Sequence, residues 1–215
     1  MKKLFLIILL ATSLLNSCNS QNNVDRLGQE GVTLFDKGDI KGALVKFDGI
    51  IKLDNKNEEA YLRKADCLDL LGDIQGSISS YSKAIEINPK NKIAFYNRAL
   101  SYEKLNDFNN AISDYNSALS TDPTNNSELN SKLIFHNLGI LYGQQNQLDK
   151  AIEAFTNAIK IDGQYADAYH NRGYAYQLLN NHENAILDFD KAIQLDPSNK
   201  DYRDSKNRSL EMLRK

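Results

Sequence analysis

The sequence predicts an all-α solenoid in which helix-turn-helix repeats stack one after another. Three observations lead to this fold class. A pattern of small, apolar and aromatic positions returns every 34 residues along most of the chain. Each repeat contains two stretches with the three-to-four-residue spacing of an amphipathic helix. Pro and Gly are scarce, with 3 and 11 among 215 residues, which disfavours a loop-rich fold or a β-sandwich.

The first element along the chain is an apolar leader. Lys2 and Lys3 give it a positive start, and Leu4–Leu15 is an apolar run relieved only by a few small residues. This run is shorter than the roughly 20 residues that a transmembrane helix needs, but it has the length of a secretory signal core. We therefore predict a signal peptide over residues 1–17.

Cys18 stands directly after this leader. The tetrapeptide Leu15-Asn16-Ser17-Cys18 resembles a bacterial lipobox, although Asn16 departs from the small or aliphatic residue usual at its position. The resemblance implies that Cys18 carries a diacylglyceryl anchor and that residues 18–23 form the lipidated start and a short polar tether. The alternative is an ordinary secreted or uncleaved leader with an incidental cysteine.

Five repeats follow the tether, with Val24 as position 1 of the first. They span residues 24–57, 58–91, 92–125, 132–165 and 166–199. Residues 126–131 form an insertion, for which we expect an extra turn at the start of the next helix with Ser127 as N-cap. The alternative is a loose loop. Residues 200–215 form one further helix, with Leu210 and Leu213 as its apolar residues, that caps the stack.

The packing positions of each repeat alternate between small residues and rings. Position 8 is Gly31, Ala65, Ala99, Gly139 and Gly173. Position 24 is Phe47, Tyr81, Tyr115, Phe155 and Phe189. Positions 4, 8 and 11 share one helical face, as do positions 20, 24 and 27, so small residues let two helices approach and rings fill the space between them. Because Tyr and Phe interchange at position 24, we interpret this position as packing without a chemical role.

The turn inside each repeat is also predictable. Position 15 is Gly38, Gly72, Asn106, Asn146 and Asn180, the residue types that tolerate the left-handed conformation at a helix end. Position 16 is Asp39, Asp73, Asp107, Gln147 and Asn181, mostly good N-caps for a second helix.

These positions together resemble the tetratricopeptide repeat over residues 24–199, although Trp is absent and His182 replaces an apolar residue. The resemblance implies a right-handed superhelix of five repeats whose first helices line a concave groove. It also implies a protein-binding function without catalysis, cofactor or small-molecule substrate.

Within that groove, the resemblance implies that positions 2, 5, 6, 9, 12 and 13 contact a partner. The candidate partner-binding residues are Glu59, Arg63, Asp66, Asp69, Tyr96, Asn97, His136, Asn137, His170, Asn171 and Tyr174. The first half of this set is acidic and the second half is more apolar, so we expect a partner segment with a basic part and an apolar part. Relatives that hold a C-terminal carboxylate use basic groove residues, which are largely missing here.

The three asparagines at position 6, Asn97, Asn137 and Asn171, allow a more specific hypothesis. Their carboxamides can donate to and accept from the backbone of an extended peptide, which would hold a peptide without demanding a particular sequence. The alternative is that Asn is simply common at this position of the family.

Other functions have little support in the sequence. Without Lys2 and Lys3, 24 basic residues face 28 acidic ones, and no basic stripe for nucleic acid is present. No phosphate-binding loop, metalloprotease or nucleophile-elbow motif occurs. His136 and His170 share position 5 and could form a metal or acid-base pair, but no carboxylate or cysteine column accompanies them. We expect Cys67 to be a structural thiol.

The sequence therefore predicts a lipid-anchored adaptor of the bacterial cell envelope that binds a partner protein. Asn19, rather than Asp, follows the cysteine and favours the outer over the inner membrane. Two alternatives are a structural subunit that binds through its convex face and, more remotely, a metal-binding or enzymatic envelope protein.

The anchor is directly testable. Cys18→Ser should block lipidation and leave the precursor unprocessed or released, while the repeats still fold, because the cysteine lies outside the repeats. Mass spectrometry of the N-terminal peptide of the wild-type mature protein should show a diacylglyceryl group on Cys18. An unmodified Cys18, or a mature chain that starts elsewhere, would contradict the prediction.

Overall fold

The structure is a computed structural model that describes residues 21–121 and 131–214. The signal peptide, Cys18 and residues 126–130 of the insertion, including Ser127, lie outside this described part. Every regular element within it is an α-helix, which confirms the predicted fold class. The helices are α1 (21–36), α2 (Ile40–Leu53), α3 (Glu58–Leu70), α4 (Ile74–Ile87), α5 (Lys92–Lys104), α6 (Phe108–Ser120), α7 (Ser131–Gln144), α8 (Leu148–Ile161), α9 (Ala166–Leu178), α10 (His182–Leu195) and α11 (Lys200–Leu213).

The chain forms two compact units that meet in sequence after Ala111. In the first unit α2 packs on α3, α3 on α4 and α4 on α5. In the second unit the same order of neighbours runs from α7 to α11. Each of these helices therefore packs mainly on the helices next to it in sequence, as a stack of helix-turn-helix repeats requires.

The first helix corrects one predicted boundary. Residues 21–23 are already helical, although the sequence analysis assigned them to the polar tether. The Gln21 side chain donates a hydrogen bond of 2.8 Å to the Asp25 carboxylate one turn later. Such a pair four residues apart stabilises a helix whose polar residues alone suggest a coil.

The turns inside the repeats match the prediction. Gly38 and Gly72 have φ of 82° and 84°, and Asn106, Asn146 and Asn180 each have φ of 58°. The residue after the turn caps the second helix in most repeats: the carboxylates of Asp39 and Asp73, for example, accept hydrogen bonds from backbone N–H groups three residues on. Gln147 makes no such bond, which agrees with its weaker capping chemistry.

In three helix pairs the ring at position 24 packs against a glycine at position 8. Phe155 is 3% exposed and lies so close to Gly139 that a Cβ there would be 2.5 Å from the ring. Gly31 and Phe47, and Gly173 and Phe189, show the same close approach. The two repeats with Ala at position 8 have Tyr at position 24 instead. Gly at position 8 therefore always occurs with Phe at position 24, and Ala at position 8 with Tyr at position 24.

A second contact, which the sequence analysis missed, links consecutive repeats. A basic residue at position 7 binds the position-25 residue 16 places earlier, on the second helix of the preceding repeat. The pairs are Lys64 with Asp48, Arg98 with Ser82, Arg172 with Thr156 and Lys206 with Asp190. Repeat four has Leu138 at position 7, so the series is interrupted there.

The last helix buries one aromatic and two small residues, and its C-terminal leucine stays exposed. Tyr202, Ser205 and Ser209 are at most 3% exposed, whereas Leu213 is 51% exposed. Leu210 is half-buried. The small serines let α11 lie close to α10, which the large leucines would prevent.

The ring-to-glycine contact predicts the effect of one methyl group. Gly139→Ala should lower the free energy of unfolding by about 1–3 kcal/mol, because the new Cβ overlaps the Phe155 ring. Gly143→Ala, in the same helix, is the matched control, since its Cβ meets nothing within 4 Å. It should stabilise the chain by about 0.5–1 kcal/mol through helix propensity. Urea unfolding would measure both, and equal effects would contradict the packing described here.

Candidate partner-binding surfaces

Each unit contains an open cavity on the face formed by its first helices. In the first unit the cavity lies among α3, α4 and α5 and has a volume of about 450 Å³. Its lining consists of Asp66, Asp69, Leu70, Tyr81, Asn97, Leu100, Glu103 and Lys104. We call it the acidic cavity. It contains three of the predicted partner-binding residues, namely Asp66, Asp69 and Asn97.

The carboxylates of the acidic cavity already have internal partners. The Tyr81 hydroxyl donates to Asp66 over 2.5 Å, and Lys104 Nζ lies 2.5 Å from Asp69 Oδ2. Burial raises the pKa of Asp66, although the Tyr81 hydrogen bond opposes this change. Burial, together with the Asp66 charge, also raises the pKa of Tyr81. The negative charge available to a partner is therefore smaller than the sequence suggests.

The Tyr81 contact corrects the interpretation of position 24 as packing alone. Tyr81 binds Asp66, and the Tyr115 hydroxyl accepts a hydrogen bond of 3.0 Å from Asn137. Where the ring is Tyr, its hydroxyl thus holds a polar residue of the groove. Where the ring is Phe, it has no hydroxyl for such a bond.

Three other predicted residues of the first unit lie outside the acidic cavity. Glu59 and Arg63 form an ion pair of 2.6 Å along α3 and line a separate hollow with residues of α1. Tyr96, on α5, is not among the residues that line the acidic cavity. The acidic residues predicted for the first half of the groove therefore lie in two separate places and contact different residues of the protein.

In the second unit the cavity lies among α7, α8 and α9 and has a volume of about 370 Å³. Its lining consists of Gly139, Ile140, Gly143, Gln144, Leu148, Ala151, Phe155, Asn171, Tyr174, Ala175 and Leu178. We call it the neutral cavity, because none of these residues is charged. Phe155 forms its buried floor, whereas Tyr174 and Leu178 are 47% and 49% exposed at its edge.

Two predicted residues, Asn171 and Tyr174, meet in this neutral cavity. Leu148, Phe155 and Leu178 were not among the predicted site residues. Leu178 occupies position 13, a ligand position of the family, so its apolar character was a usable signal. Phe155 had no such signal, because only the structure shows that solvent reaches the space above its ring.

The asparagines of position 6 are engaged within the protein. Asn137 donates to Tyr115, and the Asn171 amide lies 3.0 Å from His136 Nε2. Asn97 forms a hydrogen bond with the Tyr81 hydroxyl. A ladder of peptide contacts stays a prediction, and it would require these internal bonds to be shared or exchanged with the peptide.

The histidines at position 5 are packed between aromatic rings. The His136 ring centroid is 5.7 Å from Phe155 and 5.0 Å from Tyr165. The His170 ring lies 5.5 Å from Phe189 and 4.8 Å from Tyr202, and its Nε2 is 3.1 Å from Ser205 Oγ.

Burial lowers the pKa of both imidazoles, while the charge of Asp167 acts in the opposite direction. Within the described residues, no group of three or more His, Cys, Asp or Glu side chains is arranged to hold a metal ion.

Cys67 is fully buried on α3 with a free thiol. Burial raises its pKa to about 11. A thiol of this kind is protonated at neutral pH and is a poor nucleophile.

Comparisons with known proteins identify the repeats. A family model described as "Tetratricopeptide repeat" matches residues 93–125 and 166–199. A second, described as "TPR repeat", matches residues 70–106 and 139–180. A comparison with curated protein sequences gave no match.

Solved structures share the fold at low sequence identity. The MamA protein is 22% identical, with a TM-score of 0.74, over 82% of this chain and 93% of its own. YrrB, described as a TPR protein with an unusual peptide-binding site, is 21% identical, with a TM-score of 0.72, over 84% and 90%. A tetratricopeptide repeat protein from Parabacteroides merdae is 19% identical, with a TM-score of 0.75, over 89% and 74%.

The buried histidines predict a pH dependence of stability. Their pKa values are lower in the folded chain than the ordinary value of about 6.5 in an unfolded one, so below that pH the unfolded chain binds more protons. Stability should therefore fall as the pH drops from 7 to 5.5. In urea unfolding experiments the free energy of unfolding of the double variant His136→Gln, His170→Gln should fall less over this pH interval than that of the wild-type chain. An equal loss in both proteins would show that other groups cause it.

Proposed function

We propose that this chain, which is built of tetratricopeptide repeats, is a scaffold that binds a partner protein on the face formed by its first helices. The neutral cavity is the observation that carries this proposal. It is open, uncharged, and lined by apolar side chains at ligand positions of the family. Such repeats typically serve in protein–protein interaction, and no feature of the described residues indicates catalysis.

The energetics of the neutral cavity favour association. Tyr174 and Leu178 are each about half exposed, and Phe155 forms an apolar floor beneath them. Burying apolar surface contributes roughly 25 cal/mol per Å² removed from water, and aromatic residues dominate many interfaces. Asn171 and Gln144 supply carboxamides at the same cavity that can bind the polar backbone of a partner segment.

The proposal also places the scaffold at a membrane of the bacterial cell envelope. Its support is the apolar leader followed by the lipobox-like sequence that ends at Cys18. In the described part of the chain, no helix has the length and apolar character needed to cross a bilayer. An anchor on Cys18 followed by helix from residue 21 would keep the scaffold near the membrane surface. Asn19 favours the outer membrane.

A structural subunit that binds through the outer helices is the second candidate. The observation in its favour is the exposure of single apolar residues on second helices, with Val45 68% and Leu187 67% exposed. Each lies in a different unit, and isolated exposed apolar side chains are common on folded proteins. The neutral cavity, in contrast, brings several apolar side chains together in one concave place.

Site-specific photocrosslinking in the envelope of the source cells separates these candidates. A photoreactive amino acid at Tyr174 should crosslink a partner protein, and Leu178→Asp should abolish that product because a carboxylate would be desolvated in the complex. Val45→Asp is the matched control and should leave the product intact. A partner captured from position 187 but not from position 174 would contradict the scaffold proposal and favour the structural subunit.

A further inference from the structure

We infer that the neutral cavity binds an uncharged apolar side chain of the partner, of the size of Leu, Met or Phe, and excludes basic and acidic side chains. This inference rests on the proposed function and specifies what enters the site. It is carried by a comparison between the two cavities of the same chain, which occupy equivalent places in their repeats.

The two cavities share their architecture and differ in charge. At position 9 the acidic cavity has Asp66 where the neutral cavity has Ile140. At position 12 the acidic cavity has Asp69 where the neutral cavity has Gly143.

Each cavity is also lined by residues of a second repeat, and position 13 of that repeat is charged in one cavity and apolar in the other. Lys104 lines the acidic cavity and Leu178 lines the neutral one. Position 6 is Asn in both, as Asn97 and Asn171. Both cavities therefore contain an Asn carboxamide, but only the acidic cavity contains charged side chains.

The floor of each cavity differs in the same sense. The Tyr81 hydroxyl donates a hydrogen bond to Asp66, whereas Phe155 offers only an apolar ring. An occupant of the neutral cavity therefore meets hydrocarbon at the bottom and carboxamides nearer the rim.

A charged side chain in that place would lose hydration without gaining a counter-ion, which is unfavourable. An apolar side chain loses no such hydration and gains packing. Charge complementarity therefore selects a neutral occupant.

The space available fits one side chain with little rearrangement. At about 370 Å³ the neutral cavity lies near the lower end of the roughly 300–1,000 Å³ typical of ligand pockets. A Cβ at Gly143 would meet nothing within 4 Å, so the cavity is open at that point. The backbone on either side of the occupant can reach Asn171 and Gln144 at the same cavity.

The test uses small probes in place of the unidentified partner. N-acetyl amides of leucine, phenylalanine, lysine and aspartate are titrated into the full chain in detergent, with methyl-labelled Ile and Leu observed by NMR. The leucine and phenylalanine probes should produce saturable shifts at Ile140, Leu148 and Leu178, and the charged probes should not. Leu100, in the acidic cavity, is the internal control for non-specific binding.

Gly143→Asp supplies the matched variant. It introduces the residue type of the equivalent position in the acidic cavity, and the open space there allows the chain to fold. In this variant the leucine and phenylalanine probes should bind about tenfold more weakly, because the new carboxylate would be desolvated by them. The lysine probe should bind more tightly, because the carboxylate provides a counter-ion. Gly163→Asp adds the same carboxylate at an open position that does not line the neutral cavity, and it should leave the selectivity unchanged.

Three outcomes would overturn the inference. The first is the absence of saturable shifts at Ile140 and Leu178 with any probe. The second is equal binding of the charged and the apolar probes. The third is self-association of the chain in sedimentation experiments that is lost in the Gly143→Asp variant. The last would make a second copy the occupant. The crosslink from Tyr174 would stand even if the apolar probes failed, so failure of this inference is distinguishable from failure of the scaffold proposal.

Discussion

The contact between a phenylalanine ring and a glycine 16 positions earlier is the constraint on which three of the repeats depend. Because Gly139 lacks a Cβ, the Phe155 ring can lie directly against α7, at a place where a Cβ would be 2.5 Å from the ring. Close-packed cores respond to even one added methyl group. Repeats with Ala at this position use Tyr, whose hydroxyl is held by a groove residue. The choice of ring therefore links the core of a repeat to the hydrogen bonds of its groove.

This coupling explains how one repeat architecture gives two chemically different cavities. In the acidic cavity Tyr81 needs a hydrogen-bond partner once it is buried, and Asp66 provides it. In the neutral cavity Phe155 makes no such demand, so Ile140 can occupy the position of Asp66. A substitution that looks conservative within the core thus changes which hydrogen bonds the groove residues can make.

The sequence predicts those features that repeat with a fixed period and arise from local backbone chemistry. The two-helix repeat and the left-handed turns at Gly38 and Asn106 follow from column composition and are found in the structure. Features that depend on a contact across repeats are harder to foresee. The pairing of Arg172 with Thr156, for example, joins residues whose types vary from one repeat to the next. The helical start at Gln21 and the burial of Ser209 in place of Leu213 depend on local pairs and close approach that composition does not reveal.

The rigidity of the walls has a consequence for binding. Arg172 on α9 binds Asp188 through two nitrogens at 2.8 and 2.7 Å and reaches Thr156 on α8 at 3.0 Å, so it holds two walls of the neutral cavity in place. His136 adds a further link, because its ring contacts Phe155 in a T-shaped arrangement and lies within hydrogen-bond distance of Asn171. A cavity whose walls are fixed before binding loses little conformational entropy when it is filled. Selectivity at such a site then depends on the charge and shape of the entering side chain, since the walls cannot easily rearrange to supply a counter-ion.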